Sequence, residues 1–86
     1  MYETTGRKRL AAILAEPEGL SQTRLAASLG VSQPAVSEWI AGNTRPSAHL
    51  RTAIEMLVGI PAGEWMTAEE RSVVAEAMRE GKIGNE

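Results

Sequence analysis

The feature that most constrains this chain is a helix-starting device written twice, at Ser21 and again at Ser32. In each copy a serine stands where its hydroxyl can accept from the free N–H groups of a helix's first turn. An apolar residue precedes each serine and another follows four positions later, Leu20 with Leu25 and Val31 with Val36. Such a pair packs across the start of a helix as a hydrophobic staple. Between the copies stands Gly30, which can end a helix in a left-handed conformation without a Cβ clash. The spacing predicts two short helices bent at a glycine, the second from about Gln33 to Ala41 and ended by Gly42 and Asn43. Pro34 is tolerated there because the first helical turn has no internal N–H bond to lose.

The flanking sequence supplies more helices. Leu10, Ile13 and Leu14 give an apolar stripe to a first helix over Thr5 to Glu16, which Pro17, Glu18 and Gly19 end. After the loop Thr44, Arg45 and Pro46, Ser47 is placed to cap a helix striped by Leu50, Ala53, Ile54, Leu57 and Val58, with Gly59 and Pro61 as its end. A short helical turn is expected through Glu64, Trp65 and Met66. Thr67 and Glu70 have the spacing of a capping box for a last helix reaching about Glu80, stopped by Gly81 and followed by a frayed tail, Lys82 to Glu86. No run alternates with the period of two that a strand requires. The expected fold is all-α, a compact bundle of five to six short helices.

Composition narrows the function. There is no cysteine, so disulfides and thiolate metal sites are excluded. The single histidine, His49, cannot build a histidine-rich metal site and is read as a surface residue. No nucleophile–base pair and no phosphate-cradling glycine loop is visible, so neither an enzyme nor a cofactor or metal is expected. No apolar run approaches the roughly 20 residues that span a bilayer. The basic residues near the N-terminus have no long apolar stretch behind them, which argues against a secretory signal. The expected location is the cytoplasm, without a membrane partner.

The net charge of −2 does not announce a nucleic-acid binder, but its distribution matters more than its sum. Up to Arg51 there are six basic residues against four acidic, and beyond it three against seven. The acidic excess lies in the C-terminal part. The glycine-hinged helix pair is a helix-turn-helix pattern. Close helix crossing requires a small residue, and Ala26 supplies one. On a helical wheel Ala35, Val36, Trp39 and Ile40 share one arc, with Trp39 read as core, while Gln33, Pro34, Ser37 and Glu38 share the opposite one. A face of short polar groups near a helix N-terminus suits the major groove of DNA.

The stretch LSQTRLAASLGVSQPAVSEWIAGNTRPS resembles the Cro and phage-repressor class of helix-turn-helix regulators, the XRE-like family. The resemblance extends over Leu20 to Met66 and implies a lambda-repressor-like fold. It further implies that Gln22 and Thr23 bind phosphate and that Gln33 reads a base edge, with bidentate contact to adenine the natural pairing. Ser32, Pro34, Ser37 and Glu38 would line the same groove, and Asn43, Thr44 and Arg45 would hold the DNA backbone. Two positions depart from the pattern. Glu38 stands where a basic or amide residue is common. Ile40 stands where the family often has a glutamate paired with an arginine of the first helix, and an apolar Leu14–Ile40 contact is the expected replacement.

Other features admit two readings. Arg7, Lys8 and Arg9 fit either a phosphate-binding arm or a soluble helix start. Val73, Val74, Ala77 and Met78 form a stripe that either closes the core or builds a dimer seam with Trp65 and Met66. Residues 1–66 are therefore read as a helix-turn-helix DNA-binding domain and 67–86 as a dimerising or core-closing extension. A homodimer would set its recognition helices about 34 Å apart on a pseudo-palindromic operator in double-stranded DNA. The functional expectation is a sequence-specific transcriptional regulator, a repressor of phage, prophage or plasmid-module type acting by operator occupancy, with no small-molecule ligand. The alternative is a protein-interaction module on the same scaffold, an antitoxin or adaptor, which the acidic C-terminal part favours.

Overall fold

Hydroxyl caps set where most helices of this chain begin. The computed structural model describes residues 1–80, and the order is α1 (Thr5–Leu14), α2 (Gln22–Leu29), α3 (Gln33–Ala41), α4 (Ala48–Val58), a single 3-10 turn (Ala62–Trp65) and α5 (Ala68–Arg79). Among the described residues there is no strand. The Thr4 hydroxyl accepts from the Arg7 N–H at 3.2 Å, that of Ser21 from Arg24 at 3.1 Å and that of Ser32 from Ala35 at 3.3 Å. A capping box opens α5: Thr67 Oγ1 accepts from the Glu70 N–H at 3.2 Å, and Glu70 Oε1 accepts from the Thr67 N–H at 2.8 Å. Each such cap contributes about 1 kcal/mol. Ser47 occupies the cap position of α4 but makes no cap bond; its hydroxyl lies 3.3 Å from Nδ1 of His49, an exposed residue.

Helix ends follow equally local rules. The first helix stops at Leu14, two residues short of the expected Glu16, because Pro17 disfavours helical geometry in the residue before it. Gly30 and Gly42 stand at φ 72° and 85°, the left-handed region. At the first, the Val31 N–H donates to the Ala26 carbonyl at 3.0 Å; at the second, the Asn43 N–H donates to the Glu38 carbonyl at 3.0 Å. Both are Schellman closures, in which the residue beyond the glycine satisfies a carbonyl of the last turn. Gly81 and the tail, where a helix stop and fraying were expected, lie outside the described residues.

The core is made of Leu10, Leu25, Ala26, Val36, Trp39, Ile54, Ile60 and Trp65. Helices α1, α2 and α3 wrap it on one side, and α4 with the 3-10 turn closes the other. One apolar expectation is corrected here. Trp65 is fully buried, so it cannot belong to a dimer seam: the 3-10 turn drives its ring under α1. Leu57, on the apolar stripe of α4, is 53% exposed, and with Met56 it lines a groove between α2 and α4 that no other described element covers.

The last helix stands apart. No residue of α5 is buried, and Val73 and Met78 are 68% and 64% exposed. The radius of gyration is 14.4 Å, against about 12 Å for a compact chain of this length. Most of α5 therefore projects from the body, and it does not close the core.

Gly6 explains how α1 and Trp65 come so close. A Cβ at this position would lie 2.7 and 2.9 Å from two atoms of the indole ring and 3.1 Å from the Glu64 carbonyl. Alanine favours a helix by about 1 kcal/mol over glycine, whereas overpacking a core costs about 1–3 kcal/mol. Gly6→Ala should therefore lower the thermal midpoint by several degrees in a circular-dichroism melt, and a rise would mean that the helix does not rest on the ring.

Candidate nucleic-acid interface

The polar arc of α3 is open to solvent. Ser32, Gln33, Pro34, Ser37 and Glu38 are all exposed, and neither α5 nor any other described element covers them. Gln33 and Ser37 lie one turn apart on the same face. The Ser32 hydroxyl oxygen accepts the cap bond, which leaves its hydrogen to donate outward. Beside this face lies the start of α2, where Thr23 is exposed and Gln22 is half-buried. The two helices are joined by side chains: Gln33 Nε2 donates to Gln22 Oε1 at 2.6 Å. That bond leaves Gln33 with one amide hydrogen and its carbonyl oxygen, and leaves both hydrogens on the Gln22 amide.

The far end of α3 is fastened by the N-terminal segment. Helix C-termini carry unpaired carbonyls and a partial negative charge, which favours a cation. Arg7 Nη1 donates to the Ile40 carbonyl at 2.8 Å, while Nη2 donates to both Glu3 oxygens, at 3.0 and 3.2 Å. The Tyr2 N–H donates to the Gly42 carbonyl at 2.7 Å. A side chain at position 42 has no room, since its Cβ would sit 3.0–3.1 Å from Met1, Arg7 and Tyr2. Leu14 and Ile40 both pack partly buried against the core, yet the polar tie from α1 to position 40 comes from Arg7 and reaches the backbone. Arg7 lies seven residues before Leu14, about 10 Å along the helix.

The basic cluster at the start of α1 divides accordingly. Arg7 is held within the fold, and Arg9 forms a bidentate pair with Glu64 at 2.9 Å. Only Lys8 of the three is exposed without a partner. A three-residue phosphate arm is thus reduced to one lysine.

Beyond α3, Asn43 and Thr44 are exposed, but Arg45 is not available to DNA. Its Nη1 donates to Glu70 Oε1 at 2.6 Å and to the Trp65 carbonyl at 3.1 Å, its Nη2 donates to Glu70 Oε2 at 3.1 Å, and the guanidinium lies 4.2 Å from the centre of the Tyr2 ring. The phosphate role expected for Arg45 is therefore corrected: it fastens α5 and the N-terminal segment to the loop after α3. The Arg45 guanidinium, with help from the Thr67 N–H, holds the Glu70 carboxyl down at about 2, and Glu70 raises Arg45 in turn. Arg7 likewise lowers Glu3.

Sequence reasoning missed Arg7, Tyr2 and Glu70 as parts of this frame. The family pattern did not mark Arg7, because it sets position 40 against Leu14, about 10 Å further along α1. Glu70 was seen only as a cap, because its partner lies 25 residues away in sequence. Among the described residues no group of carboxylates and imidazoles is placed to hold a metal ion, and no helix is long and apolar enough to cross a membrane. A helix-turn-helix family model matches residues 10–65, from the middle of α1 to the end of the 3-10 turn. No curated protein and no solved structure shows significant similarity to the chain.

The Arg45–Glu70 pair makes a pH prediction. The folded value of Glu70 lies below its ordinary 4.5, so the stability it contributes is complete above about 4.5 and is lost as pH falls through about 2. Glu70→Gln keeps a residue able to complete the capping box but removes the charge. Melts between pH 7 and pH 2 should show a smaller acid-induced fall in the midpoint for the variant than for the wild type. Superimposable profiles would show that the pair does not form in solution.

Proposed function

The chain belongs to the Cro/XRE-like helix-turn-helix family of DNA-binding transcription regulators, and from that premise we propose that it acts as a homodimeric repressor that excludes polymerase by occupying a pseudo-palindromic operator. The observation that carries this reading is the exposed arc of α3 with Gln33 fixed on it by Gln22. Gln33 offers one acceptor and one donor side by side, which matches adenine N6 and N7 in the major groove. Gln22, with both amide hydrogens unused, donates to a phosphate. Thr23 and the α2 N-terminus support that contact, and Asn43 and Thr44 hold the backbone beyond α3. Ser32, Pro34 and Ser37 line the groove, and Glu38 accepts from cytosine N4. A phage, prophage or plasmid-module setting fits the likeness to the Cro and phage-repressor class.

The second copy joins through α5. Val73, Val74, Ala77 and Met78 form the apolar stripe, and Met66, half-buried, adjoins it in a groove of about 450 Å³ shared with Val73 and Val74. Support comes from the exposure of Val73 and Met78 and from the extended shape of the described residues. A protein-interaction role is the second reading, favoured by the acidic α5 and by exposed Met56 and Leu57 on α4. On the first reading, residues 1–66 form the DNA-facing unit and 67–86 the joining one.

Selection from a random duplex library decides between the two readings, since an interaction module would enrich no site. On the selected site Gln33→Ala should cost about 1–3 kcal/mol and relax preference at one base pair, whereas an equal loss on all duplexes would remove Gln33 from base reading. Val73→Glu, at a position exposed in the single chain, should leave the circular-dichroism spectrum unchanged while sedimentation shifts from dimer to monomer. A wild-type chain that sediments as a monomer at micromolar concentration and on DNA would exclude the α5 seam.

A further inference from the structure

The projecting helix α5 is fastened to the body at its first turn. None of its residues is buried, and no other helix packs along it. The fastening is a fork: Arg45 Nη1 and Nη2 donate to the two Glu70 oxygens at 2.6 and 3.1 Å. A single longer bond, from Arg71 Nη2 to the Gly63 carbonyl at 3.3 Å, adds to it at the same turn. The base of the fork is firm, since Arg45 also donates to the carbonyl of the fully buried Trp65. Two parallel bonds in one plane fix direction as well as distance, which a single bond does not. In sequence Arg45 follows closely on Ala41, the last residue of α3. The fork therefore joins the end of the exposed polar helix to the start of the projecting one.

From this joint we propose that Arg45 and Glu70 set the angle of α5, and with it the distance between half-sites that a dimer accepts. The inference rests on the reading of the chain as a regulator joined through α5, and adds to it the determinant of operator spacing. Met78, at the far end of the apolar stripe, lies about 12 Å beyond Glu70 along the helix axis. A tilt of about 15° at the fork moves Met78 by about 3 Å, close to the rise of one base pair. In a two-fold dimer both arms tilt, so the two recognition helices turn by up to about 30° against each other. One base pair turns a duplex by about 35°. A small error at the joint thus equals one step of spacing. A rigid fork admits one spacing, and a loose one lets the same dimer reach the neighbouring spacings. Arg45 and Glu70 are positioning residues, since neither touches a base.

The test uses the full chain, its selected operator, and duplexes in which the half-sites are moved together or apart by one base pair. Fluorescence anisotropy gives the ratio of affinities for the selected and the shifted duplexes, which cancels any change in contacts within a half-site. For the wild type the ratio should be about 100-fold, because a shifted half-site forfeits simultaneous engagement. Glu70→Gln still completes the cap through Oε1 but turns its Nε2 toward Arg45, donor against donor, and should narrow the ratio to about 10-fold or less. Arg45→Lys keeps the charge but replaces the fork by a point contact, and should narrow it likewise. Both variants should sediment as dimers with the wild-type circular-dichroism spectrum. A role in stability alone would lower the melting midpoint and leave the ratio untouched. If both variants are folded dimers with the full wild-type ratio, this inference fails alone. A variant that dissociates into monomers would place Glu70 in the seam itself and overturn the inference as well. A wild-type chain that stays monomeric on DNA, or selects no paired half-sites, refutes the dimeric reading and takes the inference with it.

Discussion

The carbonyl end of α3 is the point on which the arrangement turns. A helix that lies across the surface of a small bundle has little core to fix its direction, since only Val36 and Trp39 of α3 are buried. Its C-terminus is closed instead by groups from the other end of the sequence, the Arg7 guanidinium on Ile40 and the Tyr2 N–H on Gly42. Tyr2 lies beneath Arg45, Arg45 holds Glu70, and Glu70 caps α5. One continuous set of polar contacts therefore runs from the N-terminal segment through the loop after α3 to the last helix. At the opposite end of α3 the Ser32 cap and the Gln22 amide fix its start.

What could be read from the sequence, and what could not, follows the range of the forces involved. The caps at Ser21, Ser32 and Thr67 and the stops at Gly30 and Gly42 depend on residues within a turn of each other, and a linear reading finds them. Ser47 shows the limit even there: it holds the cap position without a cap bond, and its hydroxyl lies instead beside His49. Trp65 and Leu57 show a different limit. An apolar pattern states which residues share a face but not what covers that face, so a tryptophan assigned to a seam is core and a leucine on the stripe of α4 is left exposed. Gly6 was invisible for a related reason: a glycine inside a helix reads as a weak helix former until the ring of Trp65 is placed above it.

Charge tells the same story. Arg7, Arg9 and Arg45 fall in the basic half of the chain and suggested contact with phosphate, yet each is paired within the fold. The cations that remain exposed without partners in that half are Lys8 and Arg24. A protein of net charge −2 with so few free cations has little non-specific attraction to DNA to draw on. On the proposed reading its discrimination rests on neutral groups, the paired amides of Gln22 and Gln33 above all, with the Glu38 carboxylate exposed on the same face.

The coupling of Gln22 to Gln33 has a consequence for how such a protein changes over generations. A single exchange at either position leaves the other amide without its partner, so if the two read DNA as proposed, a lineage drifting toward a new target sequence passes through a weak, permissive form. Paired exchanges avoid that form, and orthologues with altered targets should differ at both positions or at neither.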